Sequence, residues 1–446
     1  MTTATQVGQH WDPAAETMPR EQLEDLQVAR LARQVKWVYE NSAFYRDLYD
    51  RNNVKPEDIK SPEDLRNLPP MTKDDLRAWR TKTGDPFNGA LCVPQSMLVK
   101  TNHSTGTSGV PNCYGLTRRD YEDSADQGAR ILYRVGLRSG DVTNSWLESA
   151  MSWHGYTMTA EGARRLGATV FTMETDNRSI ARTVLEMLSG AGLTSVFVYH
   201  PEIDLEYVRD NELVPKEIHP DLRFIYSAAL TTPSRRRLLE KAWGVPYRNM
   251  GGSGDQYLMA SECEYSAPAL HMLEDRSIIE VLDPETLEPV PDGQEGEVVI
   301  TNLWAEACPY IRYRLEDIAV PDRSTCECGS THMRLTFRGR LAWSTLVEDQ
   351  QIFSDDVENI LWQFPETEFA QYQLVNFENQ PQSKLVVRTT RNQDRVEDEA
   401  ELKERLTTAL RDQLDVPTEL RFVEPGEIGV GTVKFERVVK AGPEES

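Results

Sequence analysis

Positions Ser104, Thr105, Gly106, Thr107, Ser108 and Gly109 hold nothing but hydroxyl side chains and glycines. Glycine costs about 1 kcal/mol in a helix interior, and the hydroxyls compete for backbone hydrogen bonds, so the run reads as a loop. Backbone N–H groups turned to one side, with hydroxyl donors between them, form a cradle for an oxyanion, phosphate foremost. The spacing is not a Walker A loop, which has Lys directly after its last Gly, and it is not G-x-G-x-x-G. Taken alone, the run is equally explained as an ordinary Ser/Gly turn.

A second group of residues has the chemistry of a metal site. Cys326 and Cys328 form C-x-C-G in a turn, and Cys263 lies eight residues before His271. Three thiolates and an imidazole satisfy a tetrahedral structural zinc, with His332 available as a substitute ligand. The alternative is four small buried residues beside a tight turn.

Composition narrows what these groups serve. With 72 acidic against 49 basic residues the chain carries a net charge of −23, which repels nucleic acid and anionic membrane alike and leaves a small substrate met in a local basic pocket. The first twenty residues have neither a basic start nor an apolar core, and no run approaches the roughly 18 apolar residues of a membrane span, so a cytoplasmic location is expected. Six cysteines in 446 residues are too few for a disulfide framework. The length predicts two or three domains.

The elements that must position these groups follow from periodicity. Residues 1 to 20 read as poorly ordered. From Arg20 to about Arg51 apolar residues recur at three and four, the mark of an amphipathic helix. Ser-x-x-Asp at 61 and Thr-x-x-Asp at 72 resemble capping boxes of short helices. Arg118–Val135 is helical. Strand-like runs follow at 169–173, 195–199, 223–227, 278–282 and 297–301, several separated by helix-length segments such as 178–190 and 233–242. That rhythm predicts an α/β fold with parallel sheets covered by helices. After Arg340 the order becomes helix 355–362, strands 370–376 and 383–389, helix 398–414 and strand 419–423, a smaller α+β unit. The expected division is 1–338, a hinge at 339–342, and 343–446.

The hydroxyl-rich loop and its neighbours resemble the adenylate-forming superfamily of acyl-CoA synthetases, and in particular its phenylacetate-CoA ligase branch. The resemblance is carried by VKWVYENSAFYRDLYDRNNVKPEDIKSPEDLRNLPPMTKDDLR at 35–77, then by YRNMGGSGDQ, GQEGEVVITNLWAEACPYIRYRLEDIAV, CECGSTH, FRGR and KFERVV in the family's order. It covers about nine tenths of the chain. It implies a large domain of helix-covered sheets with a smaller mobile lid, and activation of a carboxylate by ATP and Mg2+ with release of AMP. Within it, 104–109 becomes the phosphate loop, and Ser227, Ala228 and Ala229 with Met250, Gly251, Gly252 and Ser253 pack the adenine. Arg314 and Asp317 fall in the ribose-binding segment, Asp317 being the acceptor for two vicinal hydroxyls. Arg340 reaches the same sugar and phosphate. Lys434 is the ammonium that a closing lid delivers to the charge building on phosphorus, with Arg437 completing a Lys-x-x-Arg pattern. Trp153, His154, Tyr156, Tyr199 and His200 are candidates for lining the acid pocket, and as aromatics suit a planar or aryl acid. Related ligases carry the same Cys and C-x-C-G elements, which strengthens the zinc assignment to Cys263, His271, Cys326 and Cys328. A homodimer is left open.

Four positions depart from the family pattern. The Lys that follows the loop is Val110. The motif acid that binds magnesium falls on Ser253 or Gly254, leaving Asp255 as the nearest carboxylate. The hinge Asp becomes Ala342 or Trp343, and the lid's Arg-Gly facing the thiol tunnel becomes Glu348-Asp349. Coenzyme A is the acceptor that the resemblance implies. The lid changes raise a rival: an amine or other nitrogen nucleophile, or activation of nitrite with capture by an aryl amine. A nucleotide-binding relative that has lost turnover is the alternative from a different class.

Overall fold

The computed structural model describes residues 9–103, 113–146, 155, 157–173, 180–198, 201–229, 231–253, 258–377, 381–428 and 436–441. The phosphate-loop positions, Trp153, His154, Tyr156, Tyr199, His200 and Lys434 lie outside them, as do Val110, Gly254 and Asp255.

The N-terminal amphipathic stretch is two helices, Arg20–Asn41 and Ala43–Arg51. Ser42 divides them: its extended backbone ends the first, and its hydroxyl accepts from the Tyr45 N–H at 3.1 Å to cap the second. At 72 the expected capping box is present and opens the helix Lys73–Thr83, which Gly84 ends in the left-handed region at φ 75°. At 61 the same signal opens a 3-10 turn, Pro62–Asn67.

Helix Arg118–Val135 starts from a capping box of Thr117 and Asp120. The Asp120 carboxylate also accepts from the N–H groups of Glu306 and Ala307 at 2.7 and 2.9 Å, tying the helix start to the segment before Tyr313. The helix packs so closely on 158–162 that a Cβ on Gly128 would stand 2.4 Å from the Met158 carbonyl oxygen. Glycine is required there.

Nine strands form the main sheet, in the order Ser277–Leu282, Gly296–Asn302, Tyr313–Asp322, Arg334–Arg340, Leu270–Met272, Leu258–Ser261, Tyr247–Ser253, Phe224–Ser227, Ser195–Phe197. The expected parallel pairing holds where helices intervene, between Ser195–Phe197, Phe224–Ser227 and Tyr247–Ser253, and in a separate pair Val142–Trp146 with Thr169–Met173. From Tyr247 onward the neighbours are antiparallel. Among the described residues no helix lies between Tyr247 and Arg340 to carry the chain across the sheet, as the parallel neighbours have.

After Arg340 come a hairpin of Ser344–Val347 with Gln350–Phe353, the helix Ser354–Leu361, and a four-stranded sheet ordered Thr418–Phe422, Leu385–Thr389, Tyr372–Asn376, Val438–Lys440, covered by the helix Glu399–Leu414. Apolar cores run under both units. One cluster includes Leu238, Leu239 and Trp243 together with Ile360, Trp362 and Leu374, and a second lies between the N-terminal helices and the antiparallel half of the large sheet.

The expectation of disorder over residues 1 to 20 is corrected for 9–20. A short helix, Pro13–Glu16, is held on the C-x-C-G turn by His10 Nε2 with the Cys328 carbonyl (2.8 Å), His332 Nε2 with the Ala15 carbonyl (3.0 Å) and Thr331 Oγ1 donating to the Met18 carbonyl (2.6 Å). The low apolar content misleads because polar groups, not packing, anchor the segment.

Candidate active site and metal knuckle

The residues expected to meet the nucleotide come from two pairs of neighbouring strands in the main sheet. Phe224–Ser227 and Tyr247–Ser253 are parallel neighbours, with Ser227 opposite Asn249, so the chain leaves the first strand at Ser227–Ala229 while Met250–Ser253 continues the second, paired with Leu258–Ser261. Ser227 is buried, and its hydroxyl accepts from the Ala229 N–H at 3.1 Å, folding the chain back at the strand end. Behind them the Tyr247 hydroxyl lies 2.6 Å from Thr231 Oγ1 and donates to Ala229 O at 3.4 Å. Burial pushes that phenol up to about 12, against the hydrogen bond from Thr231, so it stays a neutral scaffold group. Gly251 is fitted to its place: a Cβ there would meet Leu270 Cδ1 at 2.9 Å.

Asp317 and Arg340 lie directly across from one another on the antiparallel strands Tyr313–Asp322 and Arg334–Arg340. Arg340 Nε donates to Asp317 Oδ1 at 3.0 Å, and the guanidinium stands 5.5 Å from the centre of the Trp343 ring. Asp317 is buried, and the guanidinium that neutralises its charge also reaches its other oxygen, Nη2 to Oδ2 at 3.5 Å. A register shift between Ile318 and Ala319, with Glu316 at φ 63°, bends the strand at this point. Arg314, expected beside Asp317, turns instead to Glu297, with Nε to Oε2 at 2.9 Å. The two residues are three apart, and a bulge between Arg314 and Ile318, where their strand pairs with Gly296–Asn302, sets which neighbour Arg314 meets, so spacing alone does not reveal it.

Beyond Trp343, the Glu348-Asp349 pair forms the exposed tip of the hairpin, with Glu348 at φ 53°. The Glu348 N–H donates to the Gln382 carbonyl at 2.8 Å, which fixes the hairpin on the small unit.

Cys263, His271, Cys326 and Cys328 converge as the spacing predicts, their ligand atoms all within 4.8 Å of one another and all four residues buried. Cys263 follows the strand Leu258–Ser261, His271 lies on Leu270–Met272, and the two remaining thiols lie in the turn before Arg334–Arg340, whose Arg334 pairs with His271. Cys263 Sγ is 3.7 Å from Cys326 Sγ, and Cys328 Sγ is 3.6 Å from His271 Nε2. A zinc tetrahedron with bonds of about 2.3 Å to sulfur and 2.0–2.1 Å to nitrogen has S–S and S–N edges of about 3.8 and 3.5 Å, so the donor set fits that ion. Hydrogen bonding from Cys328, then burial working against it and a bond from His271, leave the Cys263 thiol well below its usual range, the state a metal needs. His332 is not a substitute ligand, since its two ring nitrogens face the carbonyls of Met272 and Ala15 at 3.1 and 3.0 Å.

Missed in the sequence are Arg235 and Glu358, a buried pair joining the two units. Three consecutive arginines, Arg235, Arg236 and Arg237, were the available signal. They span most of a helical turn, so one must face inward and needs an acid there.

Comparison with known proteins agrees with this geometry. Residues 350–441 match the family model described as the AMP-binding enzyme C-terminal domain. Over 373 residues the chain is 30% identical to the phenylacetate-coenzyme A ligase of Thermus thermophilus, covering 82% of this chain and 80% of that one. This chain belongs to the phenylacetate-coenzyme A ligase family. It is therefore an ATP-dependent, AMP-forming ligase. The ligase is also similar to the phenylacetate-coenzyme A ligases of Aromatoleum evansii, at 28% identity with 96% and 97% of the two chains covered, and of Escherichia coli, at 26% with 94% and 91%. Its fold matches that of 2-hydroxyisobutyryl-CoA ligase. Superposition gives a TM-score of 0.85 for that enzyme's postadenylation state with 2-HIB-AMP, at 21% identity over 98% and 93% of the chains. For its thioesterification state with 2-HIB-AMP and CoA the score is 0.69, at 22% identity over 97% and 92%.

Proposed function

We propose that this ligase activates an aromatic carboxylic acid with ATP and Mg2+ to an acyl-adenylate and transfers the acyl group to coenzyme A. The observation that carries the reading is Asp317 held by Arg340 at 3.0 Å where the large sheet passes into the small unit. A carboxylate so neutralised accepts the two ribose hydroxyls without itself being repelled by the phosphates, and the guanidinium beside it serves the sugar and phosphate. Ser227–Ala229 and Met250–Ser253 supply the adenine slot, and the 104–109 loop the phosphate cradle. Lys434 is assigned to the charge that develops on the α-phosphorus as the acid oxygen attacks and pyrophosphate leaves. Magnesium, when bound, shields the triphosphate, with Asp255 the nearest acid of its motif. Trp153, His154, Tyr156, Tyr199 and His200 line the acid pocket in this reading.

The four-ligand knuckle is assigned a structural zinc through Cys263, His271, Cys326 and Cys328. With all four positions supplied by protein the ion is closed to substrate, and its role is to hold the turn and the N-terminal segment. No helix among the described residues is long and apolar enough to cross a membrane.

A second reading for the acceptor, a nitrogen nucleophile, is favoured by the exposed acidic tip Glu348-Asp349, which repels a polyanionic cofactor and attracts a cationic amine. One experiment separates the two: a panel of acids scored by pyrophosphate release, with and without coenzyme A. Release that yields a thioester only with coenzyme A supports the first. Full turnover without coenzyme A, in the presence of an amine, replaces it with the second.

A further inference from the structure

A single carboxylate, Glu358 on helix Ser354–Leu361, is gripped from both units. From the large unit, Arg235 on helix Pro233–Trp243 donates Nε to Oε1 at 3.0 Å and Nη2 to Oε2 at 2.6 Å, and Thr232 Oγ1 donates to Oε1 at 3.2 Å. From the small unit, Tyr372 Oη donates to Oε2 at 3.3 Å, and Arg437 Nη2 stands 3.7 Å from it while its guanidinium lies over the Tyr372 ring at 4.4 Å. The Glu358 side chain is 0% exposed and that of Arg235 is 9% exposed. Ser234 reinforces the seam: its N–H donates to Asn359 Oδ1 at 3.0 Å and its hydroxyl to the Asn359 carbonyl at 2.8 Å.

Arg437 is placed by its backbone as well, since the Leu374 N–H donates to its carbonyl at 2.8 Å and Gln373 Nε2 donates to the Glu436 carbonyl at 3.1 Å. It stands three residues after Lys434 in the chain. The cluster therefore joins the helix that follows the adenine segment to the strand that follows the Lys434 segment. Its asymmetry suits a seam that opens. If the units part, Glu358 keeps Tyr372 and Arg437 from its own unit. It does not become an uncompensated buried charge, which would cost far more than the hydrogen bonds given up across the seam.

We propose that Glu358 and Arg235 are positioning residues for adenylation: the carboxylate, seated by Arg235 on the large unit, holds Arg437, three residues along the chain from Lys434, for the first half-reaction. The proposal rests on the assignment of Lys434 made above. The preference of the whole-chain superposition for the postadenylation state over the thioesterification state agrees with a seam that is formed in the first half-reaction.

The test measures the two half-reactions separately on full-length protein: acid-dependent exchange of pyrophosphate into ATP, and conversion of separately prepared acyl-adenylate on adding coenzyme A. Arg235→Gln is expected to lower exchange about tenfold or more through kcat, with KM for ATP and acid and the second half-reaction within about twofold of the parent. Glu358→Gln should do the same, and the double variant should be no slower than the slower single one, because the two act through one contact. Arg395→Gln removes a pair with Glu368 that lies inside the small unit, and should leave both half-reactions unchanged. Exchange at the parental level in Arg235→Gln, or equal loss in both half-reactions, overturns the proposal. Lys434→Ala in the same assay keeps the two ideas apart: retained exchange sinks the assignment of Lys434, whereas lost exchange beside a fully active Arg235→Gln sinks only the positioning role. Should Glu358→Gln fail to fold, Arg235→Gln with its milder companion Arg235→Lys carries the test, with melting temperature measured alongside.

Discussion

The knuckle and the seam between the units are both buried polar clusters, but they close in different ways. At the knuckle Cys263, His271, Cys326 and Cys328 converge on one point, and the Tyr265 N–H donates to Cys263 Sγ at 3.4 Å. Around them, His332 and His10 are spent on carbonyls of the N-terminal segment and the turn. Nothing there can exchange partners without unfolding the corner. At the seam, Glu358 and Asp317 each meet arginines, Arg235 and Arg340, whose charge can be handed to another anion. A closed cluster serves stability, and a cluster with exchangeable partners serves a reaction cycle. Substitutions at the two places should therefore fail in different observables.

The largest expected effect is at the knuckle. Chelation of the metal, or Cys326→Ser, should lower unfolding free energy by about 5 kcal/mol, below the roughly 10–16 kcal/mol of isolated zinc fingers because the rest of the domain stays folded. Zinc content and thermal unfolding measure it. The surviving folded fraction should keep its KM for ATP. A metal-free preparation with unchanged melting temperature would make the cluster a set of packed thiols and end the contrast.

Lys434→Ala should produce the converse, a loss of about 10²–10³ in kcat for pyrophosphate release, about 3–4 kcal/mol, with unfolding unchanged. Asp317→Ala should instead raise KM for ATP, since it removes a contact made before as well as during the reaction. Pyrophosphate-release kinetics at varied ATP distinguish the two, and an unchanged kcat in the Lys434 variant would remove the mechanism.

Much of this layout is legible in the residues. Helix Arg118–Val135, strands such as Phe224–Ser227 and Ser277–Leu282, and the two ligand pairs Cys263 with His271 and Cys326 with Cys328 follow from capping, alternation and spacing, all local in the chain. What is not legible is which long-range partner a charged side chain takes. The turn of Arg314 toward Glu297 and the Arg235–Glu358 pair each depend on a bulge or a helix facing that no short window encodes. The same holds for His10 and Glu16. They lie in a polar stretch that reads as a tail, yet Glu16 is 1% exposed and shared between Arg130, Arg134 and His10.

Glu16 ties the knuckle's N-terminal cover to the Arg118–Val135 helix, and supplies the third break. Burial works to raise its carboxyl, but Arg134, then the bonds from His10 and the charge of Arg130, bring it well below the usual carboxylate range. A carboxylate depressed in the folded state contributes stability above its ordinary range near pH 4.5, and that contribution is lost as pH falls below it. Glu16→Gln should cost about 3 kcal/mol at neutral pH and flatten the acid limb of the stability curve. Denaturant melts across roughly pH 3 to 7 would expose an unchanged limb if the network contributed nothing.

The smallest effect sharpens the contrast from the seam side. Asp355, half-buried beside Glu358, is raised from 3.8 to about 6 by burial and then by the Glu358 charge, against Arg235 and Arg437. The sign is opposite to that of Glu16. The folded state holds the Asp355 proton more tightly, so stability declines as pH rises from about 4 to about 6 and the penalty persists above that. Asp355→Asn should remove the penalty and stabilise the protein by on the order of 1 kcal/mol at neutral pH, after discounting for partial exposure. In the same variant overall turnover should slow slightly while pyrophosphate exchange is kept, because a seam that no longer strains against its own charge parts less readily and product leaves later. A variant no more stable than its parent, with the slope between about pH 4 and about 6 unchanged, would show that Asp355 does not strain the seam, and the two polar clusters would then differ in location but not in kind.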